Sequence, residues 1–373
     1  EQIIIGSVIP AAEVYDVYNG KLQWKYYLRK LNKKLTNYRD FKGGSPWGGI
    51  ASDNKNGILY LTTGNAAPYL VGIQRPGKNL YADSVIAFDI RKKNIKWYFQ
   101  ETCHDLWNND IAGPPILTTI NKHGKRIDVV VAVSKTGNTL ILDKNTGEPI
   151  FDFVKRKAPV SKLPGQRTCE YQPDLKLPEP FSRNEFKLEH ITNKSPEDRN
   201  YVLNQVKESN YGFYPTYETN KFTISYNLWG GSQWPGASID PDKNVLYVTS
   251  HNLPTKFKVF KSFDINKNLE FSTNFLSIGK NNKLDDIEGY PGVKPPWGSL
   301  TAINLNSGKI LWQVPLGYFE KLKEKGFPDT GTANFGGATA SSGDLIFVSG
   351  TLDKLIRAFD AKNGEELWSH KLP

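Results

Sequence analysis

Five segments of the chain repeat the same order of hydrophobic and polar positions. In each, an apolar run reaches Asp or Asn, and a large aromatic residue follows eight positions later. Four segments also have glycine four residues after the Asp or Asn, whereas the second has Lys93 there. Because Asp and Asn favour turns and glycine accepts positive φ, the pattern predicts β-hairpins whose return strands end on an aromatic residue. These aromatic residues are Trp24, Trp97, Phe151, Trp312 and Trp368.

Further runs rich in β-branched and aromatic residues precede the hairpins and predict additional strands. They span 57–63, 128–133, 244–249 and 344–349. Two hairpins per unit make a four-stranded sheet, and repeated sheets of this kind form a β-propeller with aromatic residues between neighbouring sheets. We therefore predict an all-β fold, a β-propeller of four-stranded blades, as one domain over residues 1–373.

The spacing of the hairpins is interrupted between Phe151 and Trp312, which are 161 residues apart. Residues 155–220 are polar and contain proline, which predicts an insertion, and we expect degenerate blades in the rest of this gap. A short helix is predicted from Ser195 onward, because serine caps helices well and Pro196 suits the first turn.

The charge balance narrows the classes of partner. The net charge is +10, but the positive residues are scattered and do not alternate with aromatic residues along a stripe. Nucleic-acid binding is therefore not expected, whereas attraction to an anionic membrane surface is left open. No apolar run approaches the length of a membrane-spanning helix.

The cysteines, Cys103 and Cys169, are the only two in the sequence. Neither lies in a CxxC or CxxCH motif, which argues against a zinc ribbon and against a covalently attached c-type haem. Whether the two cysteines form a disulfide is left open.

The repeated hairpins resemble the tryptophan-docking motifs of the pyrroloquinoline quinone (PQQ)-dependent dehydrogenases. The likeness is closest to the membrane glucose dehydrogenase group and to its relatives that act on polyols and cyclic alcohols. Shorter motifs resemble those of the same family in the same order along nearly the whole chain. They lie at 47–53, 63–65, 75–79, 104–110, 134–137, 233–236, 295–298 and 334–337.

The resemblance implies an eight-bladed propeller of the quinoprotein type, of which this sequence covers only part. Relative to the family, the sequence starts inside an early blade and stops before a last pair of strands, so we expect residues to be missing at both ends. The resemblance also implies a periplasmic location, and an anchor in the inner membrane through a segment outside this sequence is left open.

A site for PQQ needs a flat aromatic surface, because the cofactor is a flat, anionic, tricyclic quinone, together with cationic or amide groups and a metal ion. By resemblance, Trp47 is the ring on which PQQ lies, and Lys135 is the cation that contacts the quinone oxygens. Gln233 and Trp234 match a region where the family has Asn-Trp against the cofactor. Asn65 matches an amide ligand of Ca²⁺ or Mg²⁺, ions that prefer oxygen ligands. No counterpart of the upstream carboxylate ligand is found.

Alcohol oxidation also needs a general base, normally a carboxylate beside the metal ion. In the family this base is the Asp that follows the Trp of the 104–110 motif, but here the position holds Asn108. The alignment is supported by the family-like separation of 27 residues between Asn108 and Lys135. If the stretch is strand-like, Asp110 lies on the same face as Asn108, whereas Asp105 need not. Asp110 is thus the candidate substitute, and structural roles for Asp105 and Asp110 as turn or cap carboxylates are left open.

The function favoured by these observations is a PQQ-dependent dehydrogenase that oxidises a sugar, polyol or other alcohol and passes electrons to a quinone. The alternative is a catalytically impaired or non-enzymatic propeller that binds a ligand or acts as an outer-membrane assembly scaffold. Asn108 motivates this alternative, because an amide does not accept a proton near neutral pH.

Overall fold

The predicted strands assemble into a series of antiparallel sheets. The computed structural model describes residues 2–6, 10–28, 43–73, 75–264, 269–273 and 283–373. In the first two sheets, each strand pairs with its neighbour in chain order. Sheet A contains β1 (Gln2–Gly6), β2 (Ala11–Asp16) and β3 (Leu22–Tyr27), and sheet B contains β4 (Ile50–Asp53), β5 (Ile58–Thr62), β6 (Ser84–Asp89) and β7 (Asn94–Gln100).

Sheet C and the predicted insertion follow. Sheet C contains β8 (Ile116–Lys122), β9 (Lys125–Val133) and β10 (Thr139–Asp143). Residues 155–220, which are predicted to be an insertion, contain a small ribbon of β11 (Lys155–Lys157) and β12 (Tyr171–Pro173), a 3₁₀ turn (Leu188–His190) and the helix α1 (Pro196–Lys207). The predicted helix start is confirmed, because the Ser195 hydroxyl accepts a hydrogen bond from the backbone N–H of Asp198 at 3.0 Å.

The next eight strands divide between two sheets. In chain order they are β13 (Phe222–Ser225), β14 (Gly230–Gly231), β15 (Ala237–Asp240), β16 (Val245–Asn252), β17 (Thr255–Asp264), β18 (Leu269–Thr273), β19 (Gly298–Asn304) and β20 (Lys309–Pro315). Sheet D has the order β13-β17-β18, and sheet E consists of β14, β15, β16, β19 and β20. After the short helix α2 (Glu320–Glu324), sheet F contains β21 (Ala338–Ala340), β22 (Leu345–Val348), β23 (Leu355–Asp360) and β24 (Glu366–Lys371).

The sheets pack face to face in the order A, B, C, E and F. Each interface is a cluster of buried and partly buried side chains from both sheets: Trp24 with Phe88, Tyr60 with Val130, Val131 with Val248, and Leu300 with Ile346. Sheet C packs directly against sheet E, so within the described residues only sheet E joins this series between Phe151 and Trp312. Sheet E carries the fourth repeated hairpin, which ends on Trp312, so within the described residues no degenerate blade joins the series in this interval, and sheet D lies outside it.

The glycines of the repeated hairpins have a second role beyond the turn. The Trp97 indole of sheet B donates a hydrogen bond to the Lys144 carbonyl at 3.1 Å, and its ring covers Gly147 of the next hairpin. A Cβ on Gly147, whose φ is +77°, would lie 2.5 Å from the Trp97 ring. Trp312 repeats this arrangement on Gly364, where a Cβ would lie 2.6 Å from its ring. Glycine is therefore needed both for positive φ and for the close approach of the aromatic ring.

Within the described part of the chain, no helix is long and apolar enough to cross a membrane. The organisation of residues 1–373 as one domain stays a prediction.

Candidate functional site

The predicted site residues lie on five loops at the ends of strands. Trp47 precedes β4, Asn65 follows β5, the segment 104–110 joins β7 to β8, Lys135 follows β9, and residues 233–234 lie between β14 and β15. The loops come from sheets B, C and E, and their contacts bring these residues together.

Lys135 is the centre of the arrangement. Its ammonium donates a hydrogen bond to Asn108 Oδ1 at 2.6 Å and forms an ion pair with Asp110 Oδ2. Its backbone N–H also donates to the Asp110 carbonyl at 3.1 Å. The Lys135 and Asp110 side chains are only 6% and 3% exposed, so the pair is almost fully withdrawn from water.

Asn65 joins the same network from the opposite side. Its backbone N–H donates to Asp110 Oδ1 at 2.6 Å, and its Oδ1 accepts a hydrogen bond from Asn108 Nδ2 at 3.0 Å. Its own Nδ2 donates to the Ala66 carbonyl at 2.9 Å. The structure therefore brings Asn65, Asn108, Asp110 and Lys135 into one hydrogen-bonded group. Their roles in cofactor binding and catalysis stay predictions.

Trp47 provides an aromatic surface beside this group. Its side chain is 38% exposed, and its indole lies close to Gly64. A Cβ on Gly64 would lie 2.3 Å from Trp47 Nε1 and 2.6 Å from Asp110 Oδ1. Gly64 thus separates the ring from the carboxylate, and any side chain there would push them apart.

Trp234 extends the aromatic surface. Its ring centroid lies 6.3 Å from that of Trp47, at an interplanar angle of 66°, and the residue is 50% exposed. Phe335 stacks on Trp234 with the centroids 5.5 Å apart. The sequence placed Phe335 in a family-like motif but gave no reason to include its side chain in the site.

Gln233 is placed near Lys135 by its loop. The backbone N–H of Ser232 donates to the Ser134 carbonyl at 3.1 Å, which joins the loop to the one that carries Lys135. The Gln233 amide, however, donates to the Gly230 carbonyl at 3.2 Å, within its own loop. Its role in binding a cofactor stays a prediction.

Asp105 makes its hydrogen bonds outside this network. Its Oδ1 accepts a hydrogen bond from the backbone N–H of Trp107 at 2.7 Å, and its Oδ2 accepts one from Asn109 at 2.9 Å. Burial raises its pKa to about 6 against the effect of these two hydrogen bonds. These contacts are those of a turn carboxylate, one of the roles left open from the sequence.

The segment 104–110 is not a strand, so the face argument used to choose between Asp105 and Asp110 was wrong. His104 and Asn108 have positive φ, +49° and +68°, and such residues break the alternation of side chains along a strand. Asp110 still meets Asn108, because Lys135 binds both of them.

Two further contacts fix this segment. The buried Arg75 donates to the Asp105 carbonyl at 2.5 Å and to the Pro68 carbonyl at 2.9 Å, and so joins Pro68 to the segment. Cys103 forms a disulfide with Cys169 of the insertion, with the Cα atoms 5.7 Å apart. The pairing left open from the sequence is therefore present, and it links the insertion to the candidate site.

Buried acidic groups surround the segment. Glu101 Oε1 accepts a hydrogen bond from the Thr136 hydroxyl at 2.6 Å and so supports the Lys135 loop. Asp83 is fully buried, and within the described residues neither of its carboxylate oxygens has a hydrogen-bond partner. Burial raises the pKa of Glu101, and it raises that of Asp83 well above the ordinary value. Burial and, to a smaller extent, the charge of nearby Asp110 raise the pKa of Tyr69. No sequence motif indicated that Tyr69 and Asp110 lie close together.

Replacing Asp83 by asparagine is expected to flatten the dependence of stability on pH. The folded protein keeps a proton on Asp83 that the unfolded chain releases above its ordinary pKa, so rising pH destabilises the wild type. Asp83→Asn removes this loss in the free energy of unfolding, which is up to about 1.4 kcal/mol for each pH unit above the pKa of the unfolded chain. Urea unfolding from pH 4 to pH 7 should show equal stability at the acidic end and a more stable variant near neutrality. The exposed Asp329→Asn is the control, and equal slopes for wild type and Asp83→Asn would contradict the assignment.

The described residues fit a flat anionic group better than they fit a divalent cation. Trp47 offers an exposed ring across Gly64 from the Asp110 carboxylate that Lys135 binds. An aromatic surface and an ammonium in one site are the combination that an anionic quinone such as PQQ requires. The described residues contain no cluster of three His, Cys, Asp or Glu side chains that could hold a metal ion. The oxygen of Asn65, the predicted metal ligand, faces an N–H of Asn108.

Comparisons with known proteins agree with the fold. The family model described as "PQQ: Glucose/ethanol/alcohol dehydrogenase, beta-propeller domain" matches residues 9–373. The glycerol dehydrogenase large subunit of Gluconobacter thailandicus is 28% identical, over 96% of this chain and 53% of that protein. Quinoprotein glucose dehydrogenase A of Acinetobacter calcoaceticus is 29% identical, over 96% of this chain and 48% of that protein. Quinate/shikimate dehydrogenase (quinone) of Acinetobacter baylyi is 27% identical, over 99% of this chain and 48% of that protein. The chain therefore spans about half the length of these relatives.

Solved structures show the same fold. A quinohemoprotein alcohol dehydrogenase from Comamonas testosteroni superposes with a TM-score of 0.64 at 20% identity, over 99% of this chain and 51% of that chain. A quinohemoprotein alcohol dehydrogenase from Pseudomonas putida HK5 has a TM-score of 0.67 at 19% identity, over 99% of this chain and 50% of that chain. At these identities the likeness concerns the fold alone. Together with the family match, it confirms the predicted β-propeller.

Proposed function

Because the chain belongs to the β-propeller family of PQQ-dependent glucose, ethanol and alcohol dehydrogenases, we propose that it binds PQQ on Trp47 and oxidises a sugar, polyol or other alcohol. The observation that carries this proposal is the buried ammonium of Lys135, held in place by Asn108 and Asp110, with the exposed ring of Trp47 across Gly64 from the Asp110 carboxylate. PQQ, when bound, supplies a quinone that accepts hydride from the alcohol carbon.

The chain's own residues provide the binding surface, the positive charge and the proton acceptor. Trp47 gives a flat apolar surface, Trp234 stands at an angle of 66° beside it, and Lys135 supplies positive charge for the anionic cofactor. Asp110 is the carboxylate closest to Lys135, and we assign to it the acceptance of the hydroxyl proton. This assignment demands that Asp110 release part of its contact with Lys135 when substrate is bound, because both of its oxygens already accept hydrogen bonds.

The location and the electron acceptor belong to the same proposal. A disulfide is typical of oxidising compartments, so the Cys103–Cys169 bond supports a periplasmic location. The relative from Acinetobacter baylyi carries "(quinone)" in its name, which supports a quinone as acceptor for the electrons. The Ca²⁺ or Mg²⁺ ion implied by the resemblance is not included, because the amide contacts of Asn65 do not suit it.

Titration of the purified chain with PQQ, followed by quenching of tryptophan fluorescence, tests the binding step. We expect saturable binding that Trp47→Ala weakens by about tenfold or more, because the stacking surface is lost. Trp368→Ala is the matched control, since Trp368 is half exposed at the far end of the chain. Equal weakening by both variants, or no binding by the wild type, would refute the cofactor assignment.

A second candidate function is PQQ binding without turnover, and Asn108 is the observation that favours it. The position next to Lys135 carries an amide that cannot accept a proton, while the rest of the network is formed. A dye-reduction assay of the PQQ-loaded protein with sugars, linear polyols and cyclic alcohols separates the two candidates. Reduction with any alcohol supports the dehydrogenase, and its absence in a protein that binds PQQ supports the second candidate.

A further inference from the structure

The amide groups of the candidate site form a chain of hydrogen bonds that runs in one direction. Lys135 Nζ donates to Asn108 Oδ1 at 2.6 Å, Asn108 Nδ2 donates to Asn65 Oδ1 at 3.0 Å, and Asn65 Nδ2 donates to the Ala66 carbonyl at 2.9 Å. The chain starts on an ammonium, which can only donate, and ends on a carbonyl, which can only accept. Both ends are therefore fixed in their hydrogen-bonding sense.

These fixed ends determine how both amides are oriented. If Asn108 were flipped, its N–H groups would face the ammonium of Lys135, which is a contact between two donors. If Asn65 were flipped, its oxygen would face the Ala66 carbonyl, which is a contact between two acceptors. Only the observed orientation satisfies all three hydrogen bonds, so an N–H of Asn108 points at the oxygen of Asn65.

The consequence concerns the space between these two residues. An aspartate at position 108 could accept from Lys135 with one oxygen and turn the other toward Asn65, whereas an asparagine has only one oxygen and Lys135 already occupies it. A divalent cation there would face N–H hydrogens and a single neutral amide oxygen. Calcium takes six to eight oxygen ligands, and the oxygens of Asp110 are bound by Lys135 and by the backbone of Asn65.

We infer that this site excludes a divalent cation and that Asn108 is the residue responsible. The positive charge that an anionic ligand meets comes from Lys135 instead. The inference concerns the same site as the proposed function, but it depends only on these hydrogen bonds and not on PQQ being the ligand.

Calcium titration of the chelator-treated chain, without PQQ, tests the inference by calorimetry. We expect no calcium binding by the wild type up to about 1 mM, near the weak end of protein calcium sites. Asn108→Asp should bind calcium at least about tenfold more tightly than the wild type, because the position then offers a free oxygen beside Asn65. Asn109→Asp is the matched control, since it adds the same charge one residue away, where the side chain contacts Thr102 and Asn227.

Each outcome of the calcium titrations either supports or overturns the inference. Stoichiometric calcium binding by the wild type that disappears in Asn65→Ala would overturn the inference, and this measurement needs no variant at position 108. Equal calcium affinities for folded Asn108→Asp and the wild type would overturn the role assigned to Asn108. In a parallel titration with PQQ, the wild type should bind equally well in calcium and in chelator. A failure of PQQ to bind at all refutes only the proposed function, because the calcium titration is made without it.

Discussion

Turnover in the dye-reduction assay is expected to rise by about 10² to 10⁴-fold when Asn108 is replaced by aspartate and PQQ is supplied with calcium. That range is the usual contribution of a positioned general base and equals about 3 to 5 kcal/mol in the barrier. Asp110 supplies little of it in the wild type, because both of its oxygens already accept hydrogen bonds. Asn108 is buried and hydrogen-bonded to the ammonium of Lys135 at 2.6 Å. A carboxylate of the same shape would keep this contact and add an oxygen able to accept the proton of an alcohol.

The gain should depend on position and not merely on charge. Asn109→Asp makes the same chemical change one residue away and should leave turnover at the wild-type level. Asp110→Asn in the wild-type background tests the other half of the argument. If Asp110 is the base, this substitution abolishes whatever turnover the wild type has. A wild type as active as Asn108→Asp, and unaffected by Asp110→Asn, would contradict both assignments.

Much of the site was accessible from the sequence, because each candidate residue occupies a fixed place in a short motif at the end of a strand. The spacing of Asn108 and Lys135 supported their alignment with the family motifs, but it did not predict the hydrogen bond between them. The direction of the amide hydrogen bonds was not accessible, since it depends on the Ala66 carbonyl and on the ammonium of Lys135 meeting the two amides from opposite ends. The isolated carboxylate of Asp83 was equally hidden, because burial is a property of the assembled sheets.

The fold, like the site, could be predicted from the sequence only in part. The Asp-to-aromatic spacing predicted the hairpins, since turn chemistry is local. It did not predict that sheet C packs directly on sheet E, because the intervening residues form sheet D and an insertion tied back by the Cys103–Cys169 bond. Contacts across such a long interval depend on which apolar faces fit together, and no local pattern records that.

We expect the loss of one partner of the Lys135–Asp110 ion pair to destabilise the protein strongly, and the loss of both partners to cost much less. Lys135→Met leaves the carboxylate of Asp110, 3% exposed, without its counter-charge, and removing one partner of a buried pair costs about 3 to 5 kcal/mol.

The double variant Lys135→Met with Asp110→Asn removes both charges and should recover most of that loss, because no uncompensated charge remains. Urea unfolding of the wild type, both single variants and the double variant gives the coupling energy directly. The exposed pair of Lys157 and Glu170 is the control, where exposures of 66% and 62% leave little to gain or lose. If the double variant is as unstable as the sum of the single variants, Lys135 and Asp110 act independently. The site would then owe its geometry to the backbone contacts between their loops rather than to the charge pair.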